Sequence, residues 1–190
     1  MRSFIAVKIS SDQRNKIAEL IRDFRRYDTG VKWVRPENMH ITLKFLGEVD
    51  KKILPEIFNS LEKSLTNDQV FDFNLKALGC FPNVRRPRVI WVGIDRGANN
   101  LKALAAKVDS VLMDFGFEKE KRGFSAHLTI GRVKDPHGVN LVTDQFEKLR
   151  FDTEQCLIEE VVFFQSILKR EGPTYIPHKI VKLKTSDKEG

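Results

Sequence analysis

The feature that most constrains this chain is a four-residue pattern written twice. His40-Ile41-Thr42-Leu43 and His127-Leu128-Thr129-Ile130 both read histidine, apolar, threonine, apolar. On a β-strand, side chains at i and i+2 share a face, so each copy presents an imidazole and a hydroxyl together and sends two aliphatic side chains into a core behind them. One such histidine would carry little weight, because a strand histidine is commonly structural. A given histidine falls into this pattern by accident on the order of once in a hundred times. Here two of four do, at matching places.

The surroundings repeat as well. Phe4 to Ser10 and Val89 to Asp95 are short β-rich runs, and each precedes a helical pattern. Ile17, Leu20, Ile21 and Phe24 form the first helix, behind the possible cap Ser11; Leu101, Leu104, Val108, Val111, Leu112 and Phe115 form the second, behind Asn99 or Asn100. Each helix leads to a histidine-bearing strand. A further helix follows each strand, carrying Ile53, Ile57, Leu61 and Leu65 in one half and Leu141, Phe146 and Leu149 in the other. Val70 to Phe81 and Cys156 to Leu168 read as strands, and the turn chemistry of Lys169 to Thr174 predicts a hairpin between Val161 to Leu168 and Tyr175 to Leu183. No flexible linker separates the halves, roughly 1–84 and 85–184, which makes them lobes of one unit spanning 1–184. Thr185 to Gly190 is polar and reads as a frayed tail.

At 190 residues, 41% hydrophobic and 31% charged, the chain can bury a stable core without metal or disulfide staples. No apolar run approaches the ~20 residues that span a bilayer, and the opening MRSFIAVKIS lacks the features of a signal peptide. The expectation is a cytoplasmic protein, monomeric and away from membranes. Cys80 and Cys156 lie far apart without metal-site spacing and read as buried free thiols. The formal charge of +7 favours an anionic partner. His137 and His178 lack the motif and read as surface residues.

Two imidazoles facing one cleft suit a reaction that takes a proton from a nucleophile and gives another to a leaving oxygen. Hydroxyls beside them can donate to phosphoryl oxygens. Neither a metal nor a cofactor is called for.

Beyond the motif, several longer segments carry a resemblance: SFIAVKI at the start, WVRPENMHITLKFLGEV (Trp33–Val49), FPNVRRPRVIWVGI (Phe81–Ile94), FSAHLTIGRV (Phe124–Val133), and the late FFQSIL and GPTY. Over nearly its whole length the chain resembles the two-histidine phosphoesterases, and within them the RNA 2′,3′-cyclic phosphodiesterases also called 2′-5′ RNA ligases. The resemblance implies a bilobal α+β fold with pseudo-two-fold symmetry, in which two antiparallel sheets line a central cleft and helices cover their outer faces. It implies metal-independent hydrolysis of RNA ends or nucleotides carrying a 2′,3′-cyclic phosphate to 2′-phosphomonoesters, with reversible 2′-5′ ligation. By resemblance His127 is the base for water, His40 the acid for the departing 3′ oxygen, and Thr42 and Thr129 hold the phosphate.

Phe45 and Arg132 each stand five residues after their histidine, an odd offset that points away from the cleft on an unbroken strand. A bend must intervene, at Lys44 to Gly47 in one half and at Gly131 in the other. By resemblance Phe45 packs on a nucleobase and Arg132 contacts phosphate; core packing and an exposed ion pair are the competing readings. Arg85, Arg86 and Arg88, and Lys119, Lys121 and Arg122, either steer the RNA backbone or are solvated loops. Tyr175 sits near the cleft by resemblance, or merely packs at the end of its hairpin. Other substrates fit the same motif: small cyclic nucleotides, 2′-5′ oligoadenylates, or an RNA end bound without turnover.

Overall fold

Phe4, Ile5, Ala6 and Val7 are all buried, a pattern that a strand covered on one face only would not show. The strand that contains them, β1 (Arg2–Lys8), is an inner strand. In the computed structural model, which describes residues 1–120 and 123–185, β1 pairs on one side with β3 (His40–Glu48) and on the other with β9 (Glu160–Lys169), which is followed in the sheet by β10 (Gly172–Lys182). A second antiparallel sheet has the order β2 (Val31–Trp33), β7 (His127–Val133), β6 (Val89–Ile94), β5 (Leu75–Phe81). Short strands β4 (Phe71–Phe73) and β8 (Cys156–Ile158) form a separate ribbon. The molecule is therefore α+β with two four-stranded antiparallel sheets. The expected hairpin is present, with Tyr175 opposite Ser166.

Helix α1 (Ser11–Phe24) buries Ile17, Leu20, Ile21 and Phe24. Its cap is Ser10, one residue before the Ser11 that the sequence suggests: Ser10 Oγ accepts from the Gln13 amide at 3.1 Å, and Gln13 Oε1 accepts from the Ser10 amide at 3.4 Å. A glutamine three residues on makes Ser10 the half of a capping box that Ser11 lacks. Helix α2 (Leu54–Leu65) buries Ile57, Leu61 and Leu65. Helix α3 (Ala98–Met113) buries Leu101, Leu104, Val108 and Leu112. Neither Asn99 nor Asn100 caps it. The cap position is Gly97, at φ +81°, where a Cβ would fall 2.6 Å from the Asp72 carbonyl oxygen; left-handed backbone and close approach together require glycine. The fourth helix is shorter than expected. Helix α4 covers only Val139–Thr143 and turns follow it, because Leu141 and Leu149 are exposed and only Phe146 of the expected stripe is buried.

One continuous core joins the helices to one face of each sheet, through Ile5, Ile41 and Phe163 in the first and Leu75, Ile90 and Leu128 in the second. Each large aliphatic or aromatic side chain so buried contributes about 1.5–3 kcal/mol. The opposite face of β1 carries a smaller cluster of Phe4, Ala6, Val162 and Phe164 with Tyr175 packed on it. That second cluster is why β1 is buried on both faces.

Neither sheet is built from one half of the chain. Strand β5 precedes residue 84 yet pairs with β6, β2 pairs with β7, and β9 and β10 join β1 and β3. The boundary near residue 84 separates the two motif copies but not the two sheets. Cys80 is buried as expected, whereas Cys156 is half-buried with its thiol donating to Gln13 Oε1 at 3.1 Å. Thr185 is exposed, while residues 186–190 of the polar tail lie outside the described residues. Among the described residues no helix is long and apolar enough to cross a membrane.

Candidate active site

Both histidine strands break register at the same place in the motif. Ala6 pairs with Thr42 and Ile5 with Lys44, so Leu43 has no partner; Trp91 pairs with Thr129 and Ile90 with Gly131, so Ile130 has none. Each extra residue is the fourth of its motif. A bulge there adds one residue to one strand and reverses the alternation that follows. Leu43 and Lys44 are consequently both buried and Phe45 returns to the open side, 67% exposed; Ile130 and Gly131 are both buried and Arg132 is exposed. The bends needed to bring Phe45 and Arg132 round thus lie one residue earlier than Lys44 or Gly131. Gly131 has a different part: a Cβ there would come within 3.0 Å of the Trp33 ring and 2.9 Å of Val31, so its absence lets β2 lie against β7.

The two histidines are held alike. His40 Nδ1–H donates to the Asn38 carbonyl at 2.7 Å and His127 Nδ1–H to the Ser125 carbonyl at 2.7 Å. A carbonyl oxygen only accepts, so Nδ1 carries the hydrogen in both rings and, while neutral, each keeps its Nε2 lone pair. Aromatic rings back each imidazole. Phe4 stacks on His40 at 4.7 Å and Tyr175 meets it edge-on at 5.1 Å; Phe81 meets His127 edge-on at 5.0 Å with Trp91 at 6.5 Å. Burial in these surroundings pushes the His40 pKa down to about 4, against the hydrogen bond to Asn38, which raises it, and with the Arg132 guanidinium lowering it further. His127 is lowered by the same causes, desolvation first and Arg132 with it, the Ser125 contact opposing. At neutral pH both rings of the free protein are bases.

His40, Thr42, His127 and Thr129 line one cleft of about 380 Å³, together with Phe45 and Arg132. The six residues singled out in the sequence meet there. Among the described residues neither threonine hydroxyl has a hydrogen-bond partner, and Arg132 has no carboxylate within 4 Å. Phe45, on the open side of its strand, is not a core residue, and among the described residues Arg132 is in no ion pair. Tyr175 lines the cleft too, its hydroxyl pKa raised by burial and lowered in part by Arg132 and Arg2.

Other expectations resolve differently. Arg85, Arg86 and Arg88 are exposed on the loop between β5 and β6 and do not line the cleft. Lys119 does not line it, although Glu120 and Gly123 do; Lys121 and Arg122 lie outside the described residues. His137 and His178 are exposed. Sequence reasoning missed the carbonyls of Asn38 and Ser125, two residues before each histidine, because every residue type supplies a carbonyl. It also missed the ring supports Phe4, Phe81 and Trp91, whose strand alternation holds a readable signal only once the partner strand is known. Among the described residues no three His, Cys, Asp or Glu side chains converge as metal ligands would.

A fold in which two half-chains each supply an HxT strand to one cleft has close relatives. The profile of the family described as LigT like Phosphoesterase matches the chain twice, over residues 7–91 and 92–175. The chain is 39% identical over 176 residues to the RNA 2′,3′-cyclic phosphodiesterase of Methanocaldococcus jannaschii, covering 92% of this chain and 96% of that one. It is 37% identical over 180 residues to the protein of that description from Archaeoglobus fulgidus, again over 92% and 96%. A crystal structure from Thermus thermophilus superposes with a TM-score of 0.82 at 24% identity, covering 98% of this chain and all of the other. E. coli LigT complexed with 3′-AMP superposes with a TM-score of 0.78 at 22% identity, over 96% and 98%. With both motif copies, both sheets and nearly the full length accounted for, the chain belongs to the LigT-like phosphoesterases.

Proposed function

We propose that this protein hydrolyses 2′,3′-cyclic phosphates at RNA ends, leaving a 2′-phosphomonoester. The observation that carries the reading is the matched pair of imidazoles, each with Nδ1 anchored on a carbonyl, around one cleft with two hydroxyls and a guanidinium that are unpaired among the described residues. The phosphate sits between the rings. Thr42 and Thr129 donate to its non-bridging oxygens, and Arg132 balances the charge that grows on them in the transition state. His127 Nε2 takes a proton from water as the water oxygen bonds to phosphorus. The P–O3′ bond breaks on the opposite side and protonated His40 gives its Nε2 proton to the leaving oxygen. The phosphate remains on O2′. With an RNA 5′-hydroxyl in place of water, the same displacement of O3′ forms a 2′-5′ linkage, a transfer that runs in both directions because one phosphodiester replaces another.

The two roles follow from where the nucleoside enters. In-line displacement puts the ribose on the leaving-oxygen side of phosphorus and the water on the other. Phe45, the exposed aromatic suited to a base, belongs to the His40 strand and lies 6.1 Å from Phe4, which in turn stacks on His40. The ribose then faces His40. Bound phosphate also raises the pKa that burial depresses in the free protein, so substrate itself helps charge the acid.

An oligonucleotide ending in 2′,3′-cyclic phosphate, incubated with the protein and analysed for the position of the product phosphate, tests the reading. A 2′-phosphate is expected, and 3′-phosphate as the main product would overturn both the pose and the roles. A substrate with sulfur at the 3′ bridging position separates acid from base, since a thiolate leaves without a proton. It should restore turnover to His40→Ala and leave His127→Ala as impaired as on the oxygen substrate.

A further inference from the structure

His40 is oriented through the carbonyl of Asn38, and Asn38 is itself tied down. Its side-chain amide donates to the Pro173 carbonyl at 2.8 Å, across 135 residues of chain, while its own carbonyl accepts from His40 Nδ1 at 2.7 Å. One residue thus links the imidazole to the start of β10. Asn38 closes a single 3₁₀ turn, Pro36–Asn38, and the three residues before it, Arg35, Pro36 and Glu37, are exposed. Asn38 stands half-buried between two cavities, the motif cleft and a larger one of about 660 Å³ that Gly172 and Pro173 also line. Buried Met39 fixes the chain after it; on the other side the turn is held by bonds to the β9–β10 hairpin. Arg35 makes the second of these, its guanidinium donating to the Glu171 carbonyl at 2.6 Å.

The counterpart in the second half has no such tether. The Ser125 carbonyl holds His127 at the same 2.7 Å, yet among the described residues the Ser125 side chain makes no hydrogen bond. The difference matches the two tasks. A base takes its proton from water, which can shift to meet it. An acid must meet O3′, whose place is fixed by the ribose and by the in-line axis. Phe4, stacked on His40 with 29° between the rings, limits tilt of the imidazole but leaves it free to turn within its own plane. The bond from Nδ1 to the Asn38 carbonyl sets that remaining direction. Nδ1 and Nε2 belong to one rigid ring, so a swing of the carbonyl is carried to the reacting nitrogen, where misplacement by about 1 Å can cost on the order of 10²-fold in rate.

We propose that Asn38 is a positioning residue for the leaving-group proton: its side chain, held on Pro173, fixes the carbonyl that aims His40 Nε2 at the leaving oxygen. The proposal rests on the cyclic-phosphodiesterase reading and deepens it. Its test uses Asn38→Ala and Asn38→Leu, the second keeping the branched shape without the donor. Each is assayed on an oligonucleotide ending in 2′,3′-cyclic phosphate and on the same molecule with sulfur at the 3′ bridging position, which leaves without a proton. On the oxygen substrate both variants should lower kcat by roughly 10- to 100-fold with little change in KM. On the sulfur substrate they should keep the wild-type rate.

Damage to the fold slows both substrates alike, so only a change in their ratio supports the proposal. Equal slowing on the two, or an undiminished rate on the oxygen substrate, would overturn it. Added to His40→Ala, Asn38→Ala should slow the oxygen substrate no further; an additional loss would show that Asn38 acts on something other than the acid. A readout without turnover comes from ¹H–¹⁵N spectra of histidine-labelled protein. In Asn38→Leu the Nδ1–H signal of His40 should be lost to exchange with water while that of His127 persists, and retention of both would also overturn the proposal. Wild-type turnover of both substrates leaves the cyclic-phosphodiesterase reading standing whatever the variants do; a wild-type protein inactive on both would overturn that reading and this one with it.

Discussion

Burial makes each motif imidazole a reluctant cation, and this has consequences for pH. His40 titrates at about 4 in the folded protein and near 6.5 in an unfolded chain. Between those values the unfolded chain holds the proton and the folded one does not, so stability is complete above about pH 6.5 and falls as pH drops toward 4. The loss from this residue reaches up to roughly 3 kcal/mol, and His127 acts in the same direction. Urea melts across this range should show a shallower decline for His40→Asn; an unchanged slope would remove His40 from the titration. Because kcat/KM reports the free enzyme, which needs one ring charged and one neutral, its bell should peak below pH 6.5, with kcat peaking higher once phosphate is bound. His40→Ala and His127→Ala should each lower turnover by roughly 10² to 10⁴ with the fold retained, and a near wild-type rate would reassign that histidine to structure. Phe45→Ala should reduce kcat/KM by about 1–3 kcal/mol and barely move the urea midpoint, since the ring is 67% exposed. A large loss of stability instead would make Phe45 a packing residue.

Among the elements, β3 has the most to reconcile. Its bulge at Leu43 turns Lys44 inward, where the ammonium pairs with the Asp109 carboxylate on α3 and donates to the Glu118 carbonyl at 2.6 Å. Asp109 in turn accepts from the Glu120 amide at 3.1 Å, so the pair ties the motif strand, the helix and the loop that borders the cleft. Removing one partner strands a buried charge. Lys44→Met should cost about 3–5 kcal/mol, and adding Asp109→Leu should recover most of it, read as a return of the urea midpoint at constant m. A single variant as stable as wild type would show that the pair does not hold this face together. The periodicity of α1, α2 and α3 was legible because a helix buries a stripe set by its own sequence. That of α4 was not, since which of Leu141, Phe146 and Leu149 is buried depends on what packs over them. The bulges were equally hidden: only the partner strand's register reveals that Leu43 and Ile130 are supernumerary.

At the scale of the whole molecule, His, Cys, Asp and Glu side chains do not gather in threes anywhere among the described residues, and the proposed proton transfers use imidazoles alone. Turnover is therefore expected to survive EDTA treatment; loss on chelation, restored by zinc or manganese, would reveal a site that involves other groups. What the sequence determined by itself was the inventory and its local geometry: two HxT strands in matching contexts, each with its hydroxyl and imidazole on one face, and the helices that follow from apolar spacing. These are local because a strand's alternation and a helix's stripe are properties of a few consecutive residues. The tertiary structure alone decided which strands pair, so that each sheet draws on both halves of the chain, where the register slips to bring Phe45 and Arg132 into the cleft, and which cations gather beside it. Arg2, Lys32 and Lys134 converge on one cavity while Arg85, Arg86 and Arg88 face solvent, and no local signal separates the two sets, because pairing and proximity belong to contacts between segments far apart in the chain.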